Sequence, residues 1–151
     1  MSYFKLINGI KDLLDADEGV STVTEGYVTD FDAYKKNISP MAHFIVENGT
    51  MDDNLNYYSV DIMLVDIVVE NNNETKEKFL GNDNHQEVFN DMDNVARRFF
   101  MKFKRNSVGQ DIFIQGSPSF SKIEETETQN RLAGWRLTFE VGVPSPEIDI
   151  C

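Results

Sequence analysis

Apolar and polar positions alternate almost one for one from Leu132 to Pro144. Ala133, Trp135, Leu137, Phe139, Val141 and Val143 fall on one side, and Arg136, Thr138, Glu140 and Gly142 on the other. A period of two predicts a half-buried strand, with Trp135 among its core residues. A longer period governs the region from about His85 to Phe103, where Val88, Phe89, Met92, Val95, Ala96, Phe99, Phe100 and Phe103 recur at helical spacing. Asn84 followed by Glu87 has the form of a capping box at the start of this helix. Roughly twenty residues give it a length of about 30 Å, enough to cover a sheet of several strands.

The remaining pattern fits around these two elements. Phe4, Leu6, Ile7, Ile10, Leu13 and Leu14 predict a short amphipathic helix over 3–14, ending by about Asp15. Val20 to Val28 is β-prone and contains Glu25-Gly26, which predicts a strand or hairpin; 29–39 reads as a loop. A short apolar strand follows at Met41–Glu47, then a turn at Asn48-Gly49. Leu55 to Val69 predicts a strand with Tyr58, Val60, Ile62, Leu64 and Val68 on one apolar face. Its other face turns apolar only in the later half, where Met63, Val65 and Ile67 stand. Glu70 to Asn84 is the most polar stretch and predicts a surface loop or an arm that orders on a partner. Beyond the long helix, a strand at 111–115, a turn at Gly116-Ser117-Pro118-Ser119 and an edge strand over 120–129 lead into the final strand. The expected fold class is therefore α+β: one mostly antiparallel sheet packed against a long helix, with a short N-terminal helix, in a single domain over 1–151.

Charge narrows the possible partners. The 151 residues carry 14 Lys and Arg against 26 Asp and Glu, a formal net charge of −12, which argues against a broad surface gripping nucleic-acid phosphates. Five of the basic residues, Arg97, Arg98, Lys102, Lys104 and Arg105, gather in the last turns of the long helix. They suit its C-terminal dipole, and Arg97 and Arg98 could equally meet an acidic neighbour. Glu124, Glu125 and Glu127 would keep the edge strand from pairing with anything but a basic partner. Arg136, on the outward side of the last strand, could meet solvent or a charged neighbour. The start Met-Ser-Tyr-Phe-Lys has no basic and apolar leader pattern, and no apolar run is long enough to span a membrane. A single cysteine, Cys151, gives no intrachain disulfide and fits a reducing compartment.

Candidate chemistry is sparse. His43 and His85 are far apart in sequence and lack partners at metal-ligand spacing, so neither a metal nor a cofactor is expected. Phosphate loops, dinucleotide fingerprints and nucleophile elbows are missing from the sequence. Asp61 with Asp66, and Glu124 with Glu127, are separated by odd numbers of positions and would point to opposite faces of a strand, which disfavours paired-carboxylate catalysis. The expectation is a protein that is not an enzyme.

The order of elements, together with Pro40-Met41-Ala42-His43, His85-Gln86-Glu87-Val88, Gly116-Ser117-Pro118, Leu132 to Phe139 and the terminal Cys151, resembles small tail-terminator or tail-completion proteins of tailed bacteriophages. The resemblance implies a ring, usually six-fold, in the tail or neck of a virion assembled in the bacterial cytoplasm. Such a ring caps the tail tube and joins it to head–tail connector or portal-side proteins, without binding membrane. DNA passes through the lumen, where acidic walls would let the phosphates slide. A small acidic adaptor domain binding a peptide or small molecule is the alternative. For the ring, reversing the charges of Arg97 and Arg98 is expected to weaken assembly and leave the subunit folded.

Overall fold

The computed structural model describes residues 2–26, 40–67, 85–105, 112–125 and 132–144. Two helices, α1 (Ser2–Asp15) and α2 (His85–Lys104), accompany five strands: β1 (Thr22–Glu25), β2 (Met41–Met51), β3 (Leu55–Ile67), β4 (Phe113–Glu125) and β5 (Leu132–Pro144). The strands form one sheet in the order β1-β2-β3-β5-β4. The polar stretch 70–84, the loop 29–39, the far end of the expected edge strand with Glu127, and Cys151 lie outside the described residues.

The architecture corrects the expected class. Strands hold 54% of the described residues, so the protein is mostly sheet. The sheet is mixed, because β1 runs parallel to β2, with Thr22 opposite Met41 and Glu25 opposite Phe44. Helix α1 is a full second helix of 14 residues that buries Leu6, Ile10 and Leu14 completely. Four residues of β-prone sequence carry no signal for strand direction, and Glu25-Gly26 is not a hairpin turn. Gly26 has a φ of 130° and ends β1.

Both helices lie on one face of the sheet. Val60, Ile62 and Leu64 of β3 and Ala133, Leu137, Phe139, Val141 and Val143 of β5 meet Val88, Met92, Val95, Ala96, Phe99 and Phe103 of α2 in a single core. These are the even positions of β3 and the odd positions of β5, as the period-2 pattern requires. At the end of α2, Phe99, Phe103 and Phe139 form an aromatic triad with ring centroids 5.6 to 6.0 Å apart.

On the opposite face, Met41, Val65 and Leu132 make a small second cluster with Ile67 and Ile123, which accounts for the apolar later half of β3. His43 is also buried on this side. One ring nitrogen lies 2.8 Å from Thr24 Oγ1, and Nε2 donates to the Gly26 carbonyl at 2.9 Å, joining β2 to the end of β1.

Two expected turns prove to be irregularities within longer strands. Asn48-Gly49 sits in a bulge where β2 continues to Met51, and the hairpin closes instead over Asp52, Asp53 and Asn54. The Asp52 carboxylate accepts from the Asn54 and Leu55 amides at 2.8 and 2.7 Å, an Asx-type closure that substitutes for a glycine turn. Likewise Gly116-Ser117-Pro118 is a bulge inside a continuous β4, between Gln115 and Ser119. Gly116 takes a φ of 75° there, and Pro118 falls on the sheet's edge, where a missing N–H does not break the ladder.

Candidate assembly surfaces

Three surfaces gather the charged and aromatic groups. The first is the corner where α2 passes the end of α1. Arg98 donates from Nε and Nη2 to the two carboxylate oxygens of Asp17, at 2.9 and 2.8 Å, and Asp17 also accepts from the Gly19 amide at 2.8 Å. Burial alone pushes the Asp17 carboxyl up. The Arg98 hydrogen bonds, the Gly19 amide and the charges of Arg98 and Lys102 outweigh this and hold it below the ordinary carboxylate value.

Arg98 is thus a clamp within the chain, which changes the expectation for the Arg97 and Arg98 pair. Reversing Arg98 would set a carboxylate against a buried Asp17, so only Arg97 can be reversed without cost to the fold. We expect Arg98→Ala to destabilise the protein by about 2 kcal/mol, because the Asp17 side chain, only 4% exposed, loses a charged partner. The sign of the pH effect follows from the lowered Asp17 value. The clamp's contribution is complete above the unfolded value of about 3.9 and is lost as pH falls through the lower folded value. Denaturant titrations should therefore show the gap between wild type and Arg98→Ala at pH 7 closing in strong acid.

The second surface is the uncovered side of β5. Thr138 lies directly opposite Asp61 on β3, and Arg136 opposite Met63, so Arg136 reaches Asp61 diagonally. The Arg136 guanidinium donates to Asp61 Oδ2 at 2.7 Å, and the Thr138 hydroxyl donates to Oδ1. Asp61 is therefore saturated by its strand neighbours, while 43% of the Arg136 side chain stays exposed. Asp66 occupies the other face of β3, as its odd spacing from Asp61 required. Burial raises its pKa; the Ile67 amide opposes this and the charge of Asp91 adds to it.

The third surface is a groove between α2 and β4. Asp93, Arg97, Phe100 and Lys104 run along α2 at intervals of four, three and four residues, so they share one stripe of the helix. Phe120 of β4 lies flat on Trp135, with centroids 4.2 Å apart and planes at 10°. Trp135 is only half-buried: its indole N–H donates to the Phe89 carbonyl at 2.8 Å, and Phe89 meets its ring edge-on. Lys122 Nζ stands 4.5 Å from the Phe89 ring centroid and Lys104 Nζ 5.8 Å from that of Phe100. A cavity of about 180 Å³ opens here, walled by Ala96, Phe100, Phe120 and Leu137 with Asp93 and Arg97 at its rim.

Of the residues singled out from sequence, the structure thus puts Arg97 at this groove and Arg98 and Arg136 in separate ion pairs. Glu124 and Glu125 stand opposite Ala133 and Leu132 at the end of β4, which is an edge strand as expected. Phe100, Phe120 and Lys122 were not anticipated as surface residues. The available signal was Phe120 in a strand whose neighbours Ser119, Ser121 and Lys122 mark it as an edge. Among the described residues, no three His, Cys, Asp or Glu side chains are grouped to hold a metal, and no helix is long and apolar enough to cross a membrane. No protein-family model matches the chain, and no curated protein sequence matches it.

Proposed function

We propose that the chain is a non-catalytic structural subunit of a tailed bacteriophage. Copies close into a ring, six-fold as is usual for such proteins, at the neck or the head-proximal end of the tail. The ring caps the tail tube, joins it to the connector and lets DNA pass through an acidic lumen. The observation that carries this reading is the inequality of the two sheet edges. One is the four-residue β1; the other is the thirteen-residue β4, which pairs only with β5 among the described strands and exposes Phe113 and Phe120 by 41% each. Unlike edges favour head-to-tail association over a two-fold pair, and head-to-tail contacts close rings when the rotation allows.

The alternative, an adaptor for a peptide or small molecule, would use the α2–β4 cavity. At about 180 Å³ that cavity holds one side chain and is smaller than the roughly 300 to 1,000 Å³ typical of ligand sites, which favours a protein partner. Native mass spectrometry with negative-stain imaging tests the ring. The expected result is a closed oligomer of the purified chain, alone or on adding tail-tube or connector protein. A chain that stays monomeric with both partners would overturn the proposal.

A further inference from the structure

The molecule carries a plug and a socket in different places. The plug is the β2–β3 hairpin. Its closure over Asp52 is rigid, because the Asp52 N–H also donates to the Leu55 carbonyl at 2.9 Å. Met51, just before the turn, is 79% exposed, more than any other large apolar side chain among the described residues. Asp52 and Asp53 follow it directly. An unbranched thioether side chain held out between acids is costly in solvent and adaptable in a cavity.

The socket is the α2–β4 groove. Its walls are apolar, and around them Arg97, Lys104 and Lys122 outnumber the one acid at the rim, Asp93. That is a local positive excess in a chain of net charge −12. Within one copy, the hairpin cannot fill the groove. Leu55 pairs with Pro144 at one end of β5, whereas the groove opens at Leu137, seven residues or about 24 Å along the strand.

We propose that the hairpin tip of one copy seats in the α2–β4 groove of the next, with Met51 in the cavity and Asp52 and Asp53 facing Arg97, Lys104 and Lys122. The inference rests on the reading of the chain as an assembly subunit and names the contact that joins neighbours. Plug and socket are different patches, so the contact runs head to tail and leaves a socket and a plug unused until a ring closes. A hairpin tip covers less than the roughly 1,000 Å² that a stable interface needs. It therefore fixes direction and register, and broader surfaces such as the β4 edge add area.

Cross-linking tests it. In a Cys151→Ser background, Met51→Cys with Phe120→Cys is treated with a short bis-maleimide, beside Met51→Cys with Glu140→Cys as the control on the opposite face. The first pair should give a ladder of covalent oligomers, and the control should not. Arg97→Glu and Asp53→Lys should each raise the concentration for half-assembly at least tenfold, and the two together should recover most of the loss. All four positions are exposed, so thermal unfolding of these charge variants should stay close to wild type. Rings in which the first pair does not cross-link and the charge variants assemble normally would overturn the plug and leave the ring standing. A chain that remains monomeric with both partners would remove both.

Discussion

Gly134→Ala should destabilise the protein by about 3 kcal/mol or more, and lower its thermal midpoint by roughly 10 °C. A methyl group built on Gly134 would fall 1.8 Å from the Leu64 carbonyl oxygen, 2.8 Å from its carbon and 2.9 Å from Val65 Cα. All three atoms are backbone of β3, which is held by β2 on one side and β5 on the other and cannot step aside. Gly142, on the same strand, makes the comparison informative. A methyl there would meet only the ring of Phe113, at 2.4 Å, and that ring is 41% exposed and can swing away. Gly142→Ala should therefore cost much less. Denaturant unfolding of the two variants measures the difference, and a loss below about 1 kcal/mol for Gly134→Ala would show that the central strands separate more easily than their packing implies.

The contrast between these glycines marks what sequence can and cannot reveal. Leu132–Pro144 was legible to the residue because its alternation repeats over many positions. Helix α2 was legible because eight apolar residues share one stripe. The direction of β1 was hidden, since parallel pairing to β2 depends on where the intervening chain returns and not on Thr22 to Glu25 themselves. Asn48-Gly49 and Gly116-Ser117-Pro118 carried turn chemistry, but bulges use the same residues, and only the partner strand decides between them. The Arg98 clamp joins positions 81 residues apart, a pairing that charge counts along a helix cannot expose. The groove escaped for a related reason. Phe100 looks like one more core residue in the apolar stripe of α2, and its role at the rim appears only when Phe120 is brought opposite it by β4.

That ambiguity yields the second large effect, because Phe100 and Phe103 look alike in sequence and should behave differently. Phe103 is 1% exposed and packs against Phe99 and Phe139, with centroids 5.7 and 5.6 Å away. Phe103→Ala should cost about 4 kcal/mol, the transfer energy of the ring plus a cavity that the rigid sheet below cannot close. Phe100 is half-buried at the groove, and truncating it removes a wall that solvent already reaches, so Phe100→Ala should cost about 1 kcal/mol. Unfolding measurements paired with oligomer mass then separate stability from assembly. Phe103→Ala should lose both, since it unseats the last turns of α2 from β5 and with them the basic side of the groove. Phe100→Ala should keep its fold and assemble poorly. If Phe100→Ala assembles like wild type, the groove is an unused hollow beside the core, and the contact between copies must be sought on the face that carries Arg136.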